Sequence, residues 1–232
     1  MDLLFDGITH GIALILRGDA QVMEIMWLSL RVSGIATLVS LLLGVPLGMA
    51  LGQSRFPGRR LALGVINTGM GLPPVAVGLF VSLFLWRSGP LGFLDLIYTP
   101  AAIIVAQCII ALPVVTGLTA AAIQQLDPRL RLQLLGLGAS RLQALRFLLR
   151  EARFSIIAAI MAGFGAVISE VGASMMVGGN ILHDTRVLTT ATVLETSKGN
   201  FDIAIALSVV LLGLTFLVSM LLTVLQQRGS ER

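Results

Sequence analysis

The sequence predicts an all-α polytopic membrane protein. Three observations carry this. Of 232 residues, 56% are hydrophobic and only 12% charged, against roughly 25% charged in soluble domains. Five apolar stretches each approach the ~20 residues that cross a hydrocarbon core. The arginines gather in alternate connections, as the retention of basic loops on the cytoplasmic side requires.

The elements follow in order. The stretch 3–16 is apolar but too short to span, which suits an interfacial helix, and the acidic start MDLLFDGITH lacks the basic region of a cleaved signal peptide. Spans are expected at about 25–52, 61–86, 100–124, 154–178 and 202–226. In the first, Gly44, Gly48 and Gly52 form a smooth stripe for close helix packing. In the second, Pro73 and Pro74 remove backbone donors and predict a kink that frees the carbonyls of Gly69 and Met70. Asn67 and Thr68 add polar side chains one turn earlier. That kink suits either packing or a polar path.

The connection at about 125–153 is too long for an ordinary helix-to-helix loop. Asp127 and Pro128 predict the start of one short helix, Gly136 and Gly138 its end, and Ser140 with Gln143 a capping box for a second. In that second helix Leu142, Leu145, Leu149 and Ala152 fall on one face, and Gln143, Arg146, Arg150 and Arg153 on another. Its basic face suits anionic headgroups or a cytosolic protein equally. The other basic connection holds Arg55, Arg59 and Arg60. Both are expected in the cytoplasm, with the N-terminus outside and the Arg228/Arg232 tail inside. The external connection, about 179–200, should carry a short helix capped by Asp184 and ending near Gly199, with Val187, Ala191 and Leu194 on one side. Nothing marks a second domain, so residues 1–232 form one transmembrane domain.

Several chemistries are excluded. The only lysine, Lys198, lies in ETSKGN, so no phosphate-binding G-x-x-x-x-G-K-[ST] loop exists. One cysteine, Cys108, and two histidines offer no metal-ligand spacing or nucleophile–base pair. Met175 and Met176 are expected as gap-fillers. No enzyme, metal or nucleic-acid partner is implied. Glu170 is the one carboxylate deep in a span. It is expected to anchor structure near a gate by accepting hydrogen bonds, with Arg31 a candidate partner, while a proton-linked role would suit an ion-coupled secondary carrier.

The segment LQLLGLGASRLQALRFLLREA, 132–152, resembles the cytoplasmic signature loop of permease subunits in bacterial ABC importers. Leu132-Gln133-Leu134 stands where that family has Glu-Ala-Ala, and Glu151 where it commonly has proline; the Gly138-Ala139-Ser140 core matches. The stretch SEVGASMMVGGNI, 169–181, is similar to molybdate and sulfate permeases and closest to the tungstate type, as are residues 186–212 and the proline pair in GLPPVAVG. The resemblance, from about residue 27 onward, implies a type I ABC importer permease fold in a bacterial or archaeal cytoplasmic membrane. It implies a homodimer within membrane lipid, served by an ATP-binding subunit that holds ATP and Mg and by an extracytoplasmic oxyanion-binding protein. Tungstate is the implied cargo, with molybdate or sulfate the near alternative. Leu132, Gln133, Gly136, Gly138, Ala139, Ser140, Arg146 and Arg150 would couple to the ATPase. Asn67, Thr68, Pro73, Pro74, Ser169, Glu170, Gly172 and Ala173 would line the path or gate, and Asn180, Arg186 and Lys198 would meet the binding protein.

Overall fold

The computed structural model describes residues 2–54 and 56–228. Arg55 and Arg232, assigned above to cytoplasmic segments, lie outside the described residues. Eleven α-helices are present among the described residues, and no strand. The first, α1 (Asp2–Arg17), is 16 residues long, short of a span as expected. It packs on the last helix, with Gly7 against Ile205.

Helix α2 (Ala20–Gln53) begins earlier than its apolar run, because Asp19 accepts a hydrogen bond from the Val22 amide at 3.0 Å and caps it. Helix α5 (Pro100–Gln124) matches its expected span and is capped by Thr99. The two pack closely along the predicted glycine stripe. A Cβ at Gly48 would lie 2.6 Å from the Thr116 carbonyl oxygen, and one at Gly52 2.8 Å from Ile123 Cβ. Only residues without a side chain permit that approach.

The second expected span is not one kinked helix. It is two 12-residue helices, α3 (Arg59–Met70) and α4 (Pro74–Leu85), turned 101° from one another. Each is roughly 18 Å long at 1.5 Å per residue, so neither crosses a bilayer alone. Two successive prolines remove two amide donors and also force Leu72 and Pro73 out of helical conformation. Of the two carbonyls expected to be freed, that of Gly69 accepts from the Leu72 amide, and in the same tight turn the Gly71 amide donates to the Thr68 carbonyl.

Helices α6 (Pro128–Gly136) and α7 (Arg141–Glu151) form the predicted pair, followed by α8 (Arg153–Ile168) after a 67° bend. The fourth expected span is interrupted as well. Helix α8 ends at Ile168, and a separate short α9 (Gly172–Gly178) follows. Glu170, expected deep within a continuous span, therefore lies in the break rather than along a helix. Helix α10 (Leu188–Ser197) and the long α11 (Phe201–Arg228) complete the chain. By length and composition α2, α5 and α11 are each able to cross a membrane, and counting each bent pair as one span gives up to five among the described residues.

Helix α5 sits at the centre, touching α2, α3, α4, α8 and α9. Around its N-terminal half Val32, Val77, Val81, Ile103, Ala173 and Val177 form one core; at its C-terminal end Met49, Ala122, Ile123 and Ala152 form another.

Candidate functional site

Two helix breaks meet side by side. Residues 71–73 precede α4 and residues 169–171 precede α9, and these two helices pack together just beyond their starts. A Cβ at Gly78 would lie 2.6 Å from the Ala173 Cα, and one at Gly172 2.6 Å from Val75 Cγ2. A glycine on each helix thus lets the two approach closely within the first turns after they resume. Pro73, with extended φ and ψ, caps α4, and its carbonyl oxygen accepts from the Ala76 and Val77 amides. Asn67 and Thr68 are exposed on the last turns of α3.

Broken backbone at membrane depth must find its hydrogen bonds within the protein, and side chains supply several of them around the second break. Ser169 Oγ donates to the Gly165 carbonyl at 2.7 Å, and Gln107 Nε2 reaches from α5 to the Val167 carbonyl at 3.1 Å. Glu170 is only 8% exposed. Its Oε1 accepts from the Ala173 amide at 2.8 Å, and its carbonyl accepts from Thr189 Oγ1 at 2.9 Å. The carboxylate thus faces the start of α9, where amide dipoles favour negative charge. These are the hydrogen bonds expected of a structural anchor, but the partner is not Arg31, which is exposed on α2.

A buried polar seam continues from the break. Thr185 Oγ1 donates to the Gly178 carbonyl and accepts from the Ile181 amide, Ser29 Oγ on α2 accepts from the Leu188 amide at 2.8 Å, and Thr190 is fully buried. None of Gln107, Ser29, Thr185, Thr189 or Thr190 was singled out from the sequence. The signal was present in the threonines of TRVLTTAT, which lie in the expected external connection. Asp184 does not cap α10. That role falls to Thr190, whose hydroxyl pairs with the backbone of Val187, while Asp184 sits exposed in the preceding turn.

This seam changes the standing of two residues expected to meet a binding protein. Arg186 is half-buried and donates to the Asn180 carbonyl at 3.3 Å, and Asn180, with φ of +52°, donates its amide to the Thr190 carbonyl at 3.4 Å. Both tie the turn together from inside. Lys198 is exposed and pairs with Glu195 at 2.7 Å.

The third group lies at the arginine-rich end. Asp127 Oδ1 accepts from the Arg129 amide, and Ser140 and Gln143 form the predicted reciprocal capping box. Gly138 has φ of +89°, a conformation that disfavours any side chain. The elbow projects its apolar residues outward: Leu132 is 69% and Leu137 85% exposed, and Leu142 is exposed also. Gln133, Gly136, Arg146 and Arg150 are exposed and Ala139 half-covered. The face of α7 that is buried is not quite the one expected. Ala144 and Leu148 are covered, with Leu145 and Leu149 beside them and Leu142 outside, since the bundle meets α7 along one edge of its apolar stripe. Beneath the elbow is a cleft of about 840 Å³, lined among others by Gln53, Arg59, Asp127, Arg131, Leu132 and Leu148.

Comparison with known proteins accords with these features. Residues 44–231 match the family described as "Binding-protein-dependent transport system inner membrane component". A probable anion ABC transporter permease of Haloferax volcanii is 43% identical over 83% of this chain and 85% of its own length. The tungstate uptake system permease TupB of Peptoclostridium acidaminophilum is 37% identical over 98% of this chain and all of its own. Among solved structures, a chain of the inward-facing MetNI methionine ABC transporter superposes with a TM-score of 0.74 over 90% of this chain and 96% of that one, at 18% identity.

Proposed function

Since the chain belongs to the binding-protein-dependent transport system inner membrane components, we propose that it is the membrane subunit of an ATP-driven oxyanion importer whose cargo is tungstate. The observation that carries the cargo is the full-length similarity to a tungstate permease, 37% identical along 98% of the chain. The geometry supports a path of this kind. An isolated dianion costs tens of kcal/mol to bury in a low-dielectric medium, so it must cross beside polar backbone. Paired breaks before α4 and α9 supply such backbone, flanked by the exposed Asn67, Thr68 and Ser169.

In this reading Pro73 and Pro74 keep the first break open, while Gly172 and Ala173 hold the second against it. Glu170 stabilises the start of α9 instead of contacting the anion. The stand-alone carrier weighed from the sequence rested on Glu170, and the fold employs that carboxylate as a helix cap. The α6–α7 elbow docks on a separate ATP-binding subunit, which carries ATP and Mg; Leu132, Leu137 and Leu142 enter its surface and Arg146 and Arg150 flank them. Two copies of the chain enclose the path. The arginine-rich end faces the cytoplasm, and the turn around Asn180, with Lys198, faces an extracytoplasmic binding protein.

The test is uptake of radiolabelled tungstate by cells lacking the gene, with and without the chain restored, under competition by molybdate and sulfate. Restored uptake that tungstate competes best, and that requires the ATP-binding subunit, is the expected result. Uptake independent of that subunit would sink the importer reading, and stronger competition by sulfate would reassign the cargo.

A further inference from the structure

The elbow between α2 and α3 carries two further cavities, away from the paired helix breaks. One, of about 550 Å³, runs between the last turns of α2 and one face of α3, and its walls are apolar apart from Thr116; Leu47, Leu51, Phe56, Leu61, Val65 and Ile66 line it. The other, of about 290 Å³, is lined by Phe56, Gly58, Arg59 and Arg60. Phe56 and Gly58 belong to both, so the apolar slot opens onto two guanidinium groups. That combination fits a molecule with a hydrocarbon chain at one end and an anion at the other.

We propose that this elbow binds one anionic phospholipid, an acyl chain in the slot and the phosphate on Arg59 and Arg60. The local fold prepares the site. Gly58, with φ of +87°, turns the chain so that α3 starts beside the end of α2. Arg59 Nε donates to the Leu51 carbonyl at 2.7 Å, holding the guanidinium at the mouth while using one of its five N–H groups. From Gly58 to Ile66 the slot follows α3 for about 12 Å at 1.5 Å per residue. A zwitterionic lipid would fill the slot equally well, yet its ammonium would meet the same two arginines. A second copy of this chain would fill it with apolar side chains and leave the arginines without a counter-charge. The anionic headgroup satisfies both halves.

The site reaches the coupling machinery through Arg59, which also lines the cleft beneath the α6–α7 elbow. A lipid phosphate on that guanidinium stiffens the wall against which the elbow moves. Anionic lipid is therefore expected to raise substrate-stimulated ATP hydrolysis by the complex.

The experiment uses the purified permease bound to its ATP-binding subunit, in nanodiscs of phosphatidylcholine with an equal share of phosphatidylglycerol, released into native mass spectrometry. One phosphatidylglycerol retained per permease chain, in preference to phosphatidylcholine, is the expected result. Arg60→Gln removes an exposed cation and should cut the preference about five-fold, the effect of one basic group at an anionic surface. Val65→Trp places a ring in the slot and should remove both lipids. Equal retention of the two lipids by the unaltered chain, an undiminished preference in Arg60→Gln, or no retained lipid at all would each overturn the proposal. Because Arg60→Gln leaves the slot intact, it decides the matter even if the tryptophan variant does not assemble.

Discussion

The two ends of the molecule solve opposite problems. At the arginine-rich end, α6 and α7 are each stabilised by their own neighbours in sequence: Asp127 to Arg129, Ser140 to Gln143, a left-handed glycine between. Several of their apolar residues, Leu132, Leu137 and Leu142 among them, point out. At the other end, the α9 start, the turn after it and α10 are held by contacts far apart in the chain, Glu170 with Thr189 and Leu188 with Ser29. Their polar residues point in. On the proposed function the elbow, stabilised locally and with exposed leucines, is the part held by another protein, whereas the seam, tied by hydrogen bonds between distant segments, moves or stays as one piece. Substitutions at the first should therefore damage assembly, and at the second should damage the fold and the path together.

The largest expected effect is at the meeting of the two breaks. Gly78→Val would bring Cβ to within 2.6 Å of a backbone atom, the Ala173 Cα, where no side chain can yield. Overpacking of this kind costs about 1–3 kcal/mol or more. Uptake should fall below detection and the thermal midpoint of the purified chain should drop. A variant with ordinary stability and ordinary uptake would show that the α4–α9 contact is slack and that the breaks are not coupled.

Next comes the elbow. At Gly138 a β-branched residue would be held at φ near +89°, a strain of about 1–3 kcal/mol. Gly138→Val should reduce recovery of the ATP-binding subunit on affinity purification while leaving the permease's own thermal midpoint unchanged. Gly138→Asn should retain more, since asparagine tolerates this conformation. The comparison breaks if the midpoint falls and the complex survives.

How much of this was legible depends on the range of the interactions. Helix α5, the glycine stripe of α2 and the caps at Asp127 and Ser140 were readable because apolar length, small-residue spacing and capping are local properties. The position of the first break was readable from Pro73 and Pro74, but not its 101° turn, because the angle depends on where α3 and α4 find partners, α5 for one and α9 for the other. The second break was missed. Ser169-Glu170-Val171-Gly172 holds no proline, and the run around it is apolar enough to pass as one span; only Gln107, sixty residues away, and Thr189 make the break affordable. The hydrogen bond of Arg186 was unreadable for the same reason, its partner being the Asn180 carbonyl in a turn that the sequence does not announce.

A smaller effect separates the two uses of Glu170. Glu170→Gln keeps an oxygen that can accept from the Ala173 amide and loses only the charge at the start of α9, worth about 0.3–1 kcal/mol. Glu170→Ala leaves that buried amide without a partner, at about 1–3 kcal/mol. If the carboxylate is a cap, the glutamine variant should transport nearly as the parent does and the alanine variant should be the less stable of the two. Loss of transport in the glutamine variant at unchanged stability would instead point to a titrating role.

The smallest effect is expected at the exposed end of the seam, where the comparison between the two regions is most easily sharpened. Glu195 accepts from Asn200 Nδ2 and from Lys198 Nζ, both at 2.7 Å. These contacts, the Asn200 hydrogen bond first and then the lysine, hold its carboxyl below the usual carboxylate range. A carboxyl whose acidity is strengthened by folding stabilises the fold at pH values above its unfolded pKa of about 4.3, where it is charged in both states. That contribution declines as pH falls toward the lowered folded value, because protonation then favours the unfolded chain. The lysine of the pair is half-exposed, so screening leaves the contact a small share of the total. Glu195→Gln should therefore leave the thermal midpoint almost unchanged at pH 3 and lower it slightly at pH 7, with the difference shrinking in high salt. A difference that grows toward acid pH would mean that the last turn of α10 is held by something other than this carboxylate, and that the seam's self-sufficiency extends to its surface.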